Sequence, residues 1–87
     1  MPRVRIPTPL RSYTSGESWV HAAGSTVGEV LDDLDRSFPG IRFRAIDEQG
    51  RIRVHMRIFI NDEITRGLDA EVSESDEVTL MQALSGG

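Results

Sequence analysis

Apolar and polar positions alternate in three stretches of this chain and recur at helical spacing in one. Arg3-Val4-Arg5-Ile6 alternates with a period of two, the signature of a half-buried strand. Pro7 and Pro9 then limit the backbone pairing available. Ser15-Gly16-Glu17 is a turn signal, and Ser18-Trp19-Val20-His21 reads as a returning strand, so the first twenty or so residues predict a hairpin. Thr26-Val27-Gly28-Glu29 fits a capping box, with Thr26 as N-cap and Glu29 at the third helical position. Val27, Val30, Leu31, Leu34 and Phe38 follow as a single apolar stripe, and Pro39-Gly40 ends the helix. Its other face carries Glu29, Asp32, Asp33 and Arg36, a solvated surface.

Ile41 to Ile46 carries no decisive period, and Asp47-Glu48-Gln49-Gly50 reads as a turn. Ile52, Val54, Met56, Ile58 and Ile60 then alternate with Arg53, His55, Arg57, Phe59 and Asn61, predicting a strand with one buried face. Asn61-Asp62-Glu63 turns the chain, a short strand is expected near Leu68 to Val72, and Ser73-Glu74-Ser75-Asp76 turns it again. Val78-Thr79-Leu80-Met81 is the last strand. Strand, strand, helix, strands is an α+β order in which one helix covers one face of a mixed four- to five-stranded sheet. The β-grasp is the economical form of that arrangement, with the first and last strands side by side and parallel. A β-grasp domain over residues 1–83 is therefore expected, followed by a flexible tail over 84–87.

Period two also assigns the open face of the sheet. If Ile52 through Ile60 point at the helix, then Arg53, His55, Arg57 and Phe59 point away, joined by Arg3, Arg5, Thr79 and Met81. The expected surface is basic, with a small apolar centre at Phe59 and Met81, opposite an acidic helix.

Composition narrows the possible chemistry. Eighty-seven residues with 38% apolar and 28% charged side chains fit one ordinary globular domain with a modest core. No run approaches the roughly 20 apolar residues needed to span a bilayer, and no signal-peptide stretch opens the chain, which points to the cytoplasm. No cysteine is present, excluding disulfides, thiolate metal sites and thiol nucleophiles. The net charge of −4 disfavours nucleic acid as a partner. All ten basic residues are arginine, so the chain cannot build lysine-linked chains of itself. His21 and His55 lack metal-ligand spacing, and no serine sits in a nucleophile elbow, so no catalytic residue and no metal site is expected.

The remaining feature is Leu84-Ser85-Gly86-Gly87. At a glycine frequency of about 7%, two terminal glycines arise by chance in roughly 0.5% of chains, a weak signal on its own. A physical reason strengthens it: glycine has no Cβ, so it can thread a narrow channel and leave its acyl carbon open to attack. A frayed terminus explains the same residues equally well.

Three stretches carry a family resemblance. Thr26-Val27-Gly28-Glu29-Val30-Leu31-Asp32-Asp33-Leu34 with Phe38-Pro39-Gly40-Ile41 resembles the helix of the molybdopterin-synthase small-subunit and thiamine-pathway sulfur carriers. Phe59-Ile60-Asn61-Asp62-Glu63 resembles that family's strand end, and Ser75-Asp76-Glu77-Val78-Thr79-Leu80 with Ala83-Leu84-Ser85-Gly86-Gly87 its ending. Ser75 stands where glycine is usual, and Met81-Gln82 where molybdopterin-synthase subunits usually carry prolines. The longer middle, Ile41 to Ile58, is similar to carriers that supply sulfur for cysteine, methionine or specialised-metabolite synthesis.

The resemblance implies a ubiquitin-like fold and a protein cosubstrate rather than an enzyme, or the small subunit of a sulfur-transfer enzyme. An adenylating enzyme of the ubiquitin-activating type would use ATP on the Gly87 carboxylate beside Gly86. A persulfide or sulfide donor would then yield a thiocarboxylate, and a downstream synthase would take its sulfur. No cofactor is expected on the carrier itself. Phe59, Met81, Arg53 and Arg57 are the expected docking face. A protein modifier joined through Gly87 and a noncatalytic interaction module are the other two readings.

Overall fold

The computed structural model describes residues 1–83, so the tail expected over 84–87, with Gly86 and Gly87, lies outside the described residues. Strands β1 (Arg3–Arg5), β2 (Trp19–His21), β3 (Met56–Ile60), β4 (Glu63–Thr65) and β5 (Glu77–Gln82) form one sheet in the order β2-β1-β5-β3-β4. Only β1 and β5 run parallel; the other three pairings are antiparallel. Helices α1 (Val27–Ser37) and α2 (Ile41–Ala45) follow β2. This is the β-grasp arrangement.

The core lies between the sheet and α1. Val4, Met56, Ile58, Val78 and Leu80 present the sheet's buried face, and Val27, Val30, Leu31 and Leu34 present the helix stripe. Each such side chain contributes about 1.5–3 kcal/mol on full burial, so this one seam dominates the stability of so small a domain. The Thr26 hydroxyl accepts from the Glu29 N–H at 3.2 Å, as the capping box requires. The Glu29 carboxylate reaches one residue further back than the motif predicts, accepting from the Ser25 N–H at 2.8 Å.

Several expectations need correction. The link from β1 to β2 is no simple hairpin turn: Thr8–Thr14 forms a 3-10 helix. Its buried Leu10 and Thr14 anchor it, and the Thr14 hydroxyl donates to the Glu17 carbonyl at 2.8 Å. Ile41 to Ile46 contains the short helix α2, ended by Ile46 in extended conformation. The long strand expected over Ile52 to Ile60 is shorter, because the chain turns at Val54-His55 and β3 begins only at Met56. Ile52 instead bridges Ile46.

The strand expected near Leu68 to Val72 does not join the sheet. Its backbone serves the start of α1, whose first N–H groups have no partner within the helix. The Leu68 and Ala70 carbonyls accept from Gly28 and Val27 at 2.8 and 3.0 Å, and the Val72 N–H donates to Ser25 at 2.9 Å. The strand beside β3 is β4, two residues after it, so Glu63 belongs to a strand rather than to the turn.

Candidate docking face and tail exit

Strand β5 is the middle strand of the sheet. It lies between β1 and β3, with Val4 opposite Val78 on one side and Ile58 opposite Leu80 on the other. Its start is clamped from the β3–β4 turn. The Asn61 amide donates to Asp76 Oδ1 and accepts from the Glu77 N–H, both at 3.0 Å. Asp76 also accepts from the Ser73 N–H at 2.8 Å. These bonds, the Ser73 N–H first and then the Asn61 amide, hold the Asp76 carboxyl below its ordinary pKa. At the other end the Ala83 N–H donates to the His55 carbonyl at 2.7 Å. Strand β5 is therefore fixed in register at both ends.

The open face of the sheet is the one that period two assigns. Pairings place Trp19, Arg5, Thr79, Phe59 and Ile64 in one row across all five strands. Arg57 and Met81 face each other one step nearer the tail exit. Phe59 and Met81 are thus diagonal neighbours, about 7–8 Å apart and within reach of each other's side chains. Met81 and Ile64 are each 46% exposed, and Phe59 is half-buried. The Arg3 guanidinium stacks 4.2 Å from the Trp19 ring centroid and pairs with Glu77, whereas Arg5 has no carboxylate partner among the described residues.

Two residues expected on this face are elsewhere. Arg53 precedes the turn at Val54-His55, so the alternation that would have pointed it outward is broken. Its Nε donates to the Phe43 carbonyl at 2.7 Å, and its guanidinium lies 4.4 Å from the Phe43 ring centroid. His55 sits in the turn itself, at the tail-exit end, while His21 faces Arg3 at the opposite end of the sheet. The two histidines share no site. Among the described residues, no group of three or more His, Asp and Glu is placed to hold a metal ion. No helix there is long and apolar enough to cross a membrane.

The acidic helix face is partly structural. Asp33 accepts from the Ala23 N–H at 2.8 Å and from Arg36, which lowers its pKa. Asp35 accepts from the Gly40 and Arg42 N–H groups, each at 3.0 Å, tying α1 to α2. Trp19 and Ile64 were absent from the expected docking residues. Trp19 could have been found from its parity with His21 on the second strand. Ile64 could not, because no apolar pattern marks β4.

A five-stranded mixed sheet whose middle strand runs parallel to β1 and antiparallel to β3, covered by one main helix, defines a ubiquitin-like β-grasp fold. The ThiS family model matches residues 4–87. The sulfur carrier protein CysO of Mycobacterium tuberculosis is 38% identical over 89 residues, spanning 97% of this chain and 96% of the relative. Among solved structures, the complex of BexX and CysO from Amycolatopsis orientalis contains a chain 38% identical to this one. That chain superposes with a TM-score of 0.92 over 100% of both. The small archaeal modifier protein SAMP1 of Haloferax volcanii superposes at 0.75 with 26% identity, over 98% of this chain and 97% of its own. The chain belongs to the ThiS family.

Proposed function

We propose that this protein is a sulfur carrier acting through the Gly87 carboxylate, as a cosubstrate of other enzymes rather than a catalyst. The observation that carries the reading is the position of β5. Central and bonded on both sides, it brings the chain as far as Ala83, held to the His55 carbonyl, with Met81 and Arg57 paired just before it. Four further residues span up to about 13–14 Å, enough to enter a partner's cleft while the sheet docks outside.

A carboxylate is a poor electrophile. Its attack on the α-phosphorus of ATP expels pyrophosphate and gives an acyl adenylate, whose AMP is a good leaving group. Sulfide then displaces AMP to leave the thiocarboxylate. A persulfide delivers the same sulfur through an acyl disulfide, which a thiol reduces. The nucleotide site and its acid–base groups belong to an adenylating enzyme of the ubiquitin-activating type. A downstream synthase consumes the sulfur, in cysteine biosynthesis by analogy with the CysO relatives. Such reactions place the carrier in the cytoplasm. The open face, with Phe59, Met81 and Arg57 joined by Trp19 and Ile64, supplies the docking surface, since aromatic groups and arginine dominate interface energetics.

Deleting Gly87 tests the reading. It withdraws the carboxylate by about 3.3–3.6 Å, where misplacement by about 1 Å can cost on the order of a hundredfold. ATP–pyrophosphate exchange with the cognate activating enzyme should collapse while the fold is retained. Intact mass should show one oxygen replaced by sulfur only in the full-length carrier. Undiminished exchange by the deletion variant overturns the proposal. The likeness to SAMP1 favours a second reading, conjugation of Gly87 to an amine on another protein, which adducts in whole cells would reveal.

A further inference from the structure

The turn at Val54-His55 breaks a local rule. The Met56 N–H donates to the Arg53 carbonyl at 2.9 Å, which makes Val54 and His55 the two corners of a β-turn. Such corners favour glycine, proline, asparagine, aspartate or serine, each for a backbone or side-chain reason. Val54 is instead β-branched and apolar, and it is 89% exposed. The segment holding it is not loose. The Arg53 N–H donates to Ala45 at 2.9 Å, the Asp47 N–H to Arg51 at 2.9 Å, and Ile46 bridges Ile52. Asp47 Oδ1 accepts from the N–H groups of Gln49 and Arg51, each at 2.9 Å. A well-bonded protrusion therefore holds out an apolar side chain that makes no use of it internally. Broken local rules without internal compensation concentrate at functional sites.

Beside this turn, where β3 begins and β4 ends, lies an open groove of about 500 Å³. Its apolar lining comes from Ile52, Val54, Met56 and Ile64, and its charge from Arg53, Arg57 and Arg66; among the described residues no carboxylate lines it. None of these three arginines has a carboxylate partner among the described residues. In a chain of net charge −4, three such guanidinium groups around an apolar groove are a local inversion of the field. Position supplies the last link. Gln82 pairs with Met56, and Ala83 bonds to His55, the other corner of the turn. A protein that encloses the residues after Ala83 comes up against Val54 and this groove.

We infer that the groove receives an acidic segment of the activating enzyme, an extended stretch carrying carboxylates around one apolar side chain. The carboxylates face Arg53, Arg57 and Arg66, and the apolar group packs on Val54 and Ile64. The identity of this partner rests on the function proposed above; the chemistry it must present does not. The groove adjoins the open sheet face, sharing Arg57 and Ile64 with it, and extends the contact toward the Val54-His55 turn and the end of β4.

Val54→Asp and Arg66→Glu test the inference, since both sites are exposed and neither side chain makes a hydrogen bond among the described residues. Unchanged melting temperatures confirm folding. In ATP–pyrophosphate exchange with the cognate activating enzyme, each variant should raise the carrier's KM about three- to tenfold and leave kcat unchanged. The KM of Arg66→Glu should also depend less on salt. Ser12→Asp, which adds one negative charge on the β1–β2 connection, should leave KM unaltered. Exchange by the unaltered carrier with both groove variants within twofold of its KM overturns the groove and leaves the sulfur-carrier reading standing. Absence of exchange by the unaltered carrier overturns both. Polynucleotide binding lost in the variants, with KM unchanged, would assign the groove to nucleic acid and also overturn the inference.

Discussion

Replacing Asn61 by alanine removes two supports at once, and the structure allows them to be separated. Asn61 has φ of 54°, in the left-handed region that asparagine tolerates and alanine does not. Placing a Cβ without a compensating side chain there costs about 1 kcal/mol. The amide also bonds Asp76 and the Glu77 N–H, each at 3.0 Å; losing this pair at a partly solvated site costs about 1 kcal/mol more. Asn61→Ala should therefore destabilise by about 2 kcal/mol, lowering Tm by about 8–15 °C in a domain of this size. Asn61→Gly restores the φ and loses only the amide bonds, so it should fall about half as far. Thermal unfolding followed by circular dichroism measures both. Equal losses in the two variants would refute the backbone part of the argument. A drop under about 2 °C in Asn61→Ala would refute the clamp altogether.

A Cβ on Gly24 would lie 2.6 Å from the Val30 backbone nitrogen, so Gly24→Ala must displace α1; urea unfolding should show a loss above about 2 kcal/mol. Glu29, Asp33, Asp47 and Asp76 all have lowered pKa values, mainly from backbone N–H donors. Each contributes stability that is present above its unfolded pKa and lost as pH falls through the folded one. Stability should be flat from about pH 6 to 8 and decline below about pH 4, measured as urea midpoints across that range. Phe59→Ser with Met81→Ser should raise KM for adenylation without unfolding the domain. Unchanged kinetics in the folded double variant would remove those residues from the docking face.

What was legible in the sequence depended on how many turns of a period an element contains. Three turns of stripe plus the Thr26 cap made α1 readable almost to the residue. In α2, Ile41 and Ala45 are a single i, i+4 pair, too little to display a period. Alternation misled at Ile52 and Val54 because it carries no information about where a strand begins. Apolar residues kept the rhythm across a turn that only backbone bonding reveals. Leu68 to Val72 looked like a strand because Leu68, Ala70 and Val72 alternate with polar residues. Leu68-Asp69 is instead a turn, Glu71 only bridges Thr26, and the N–H groups at the start of α1 claim the Leu68 and Ala70 carbonyls. The open face was readable because parity survives within β1, β3 and β5. Arg53 was misplaced because it lies on the other side of the turn, where parity no longer applies.

The placement of β5 between two neighbours also decides how the protein answers to force. A machine that grips the chain beyond Ala83 drags β5 along its own axis, between β1 on one side and β3 on the other. Both ladders are then loaded in shear, so their hydrogen bonds resist together instead of opening one after another. Edge strand β4, held only by β3, would peel pair by pair under a load applied across it. Forced unfolding is governed by the unfolding barrier rather than by equilibrium stability. A load applied at Ala83 along β5 is thus met by both ladders together, whereas β4 resists with one.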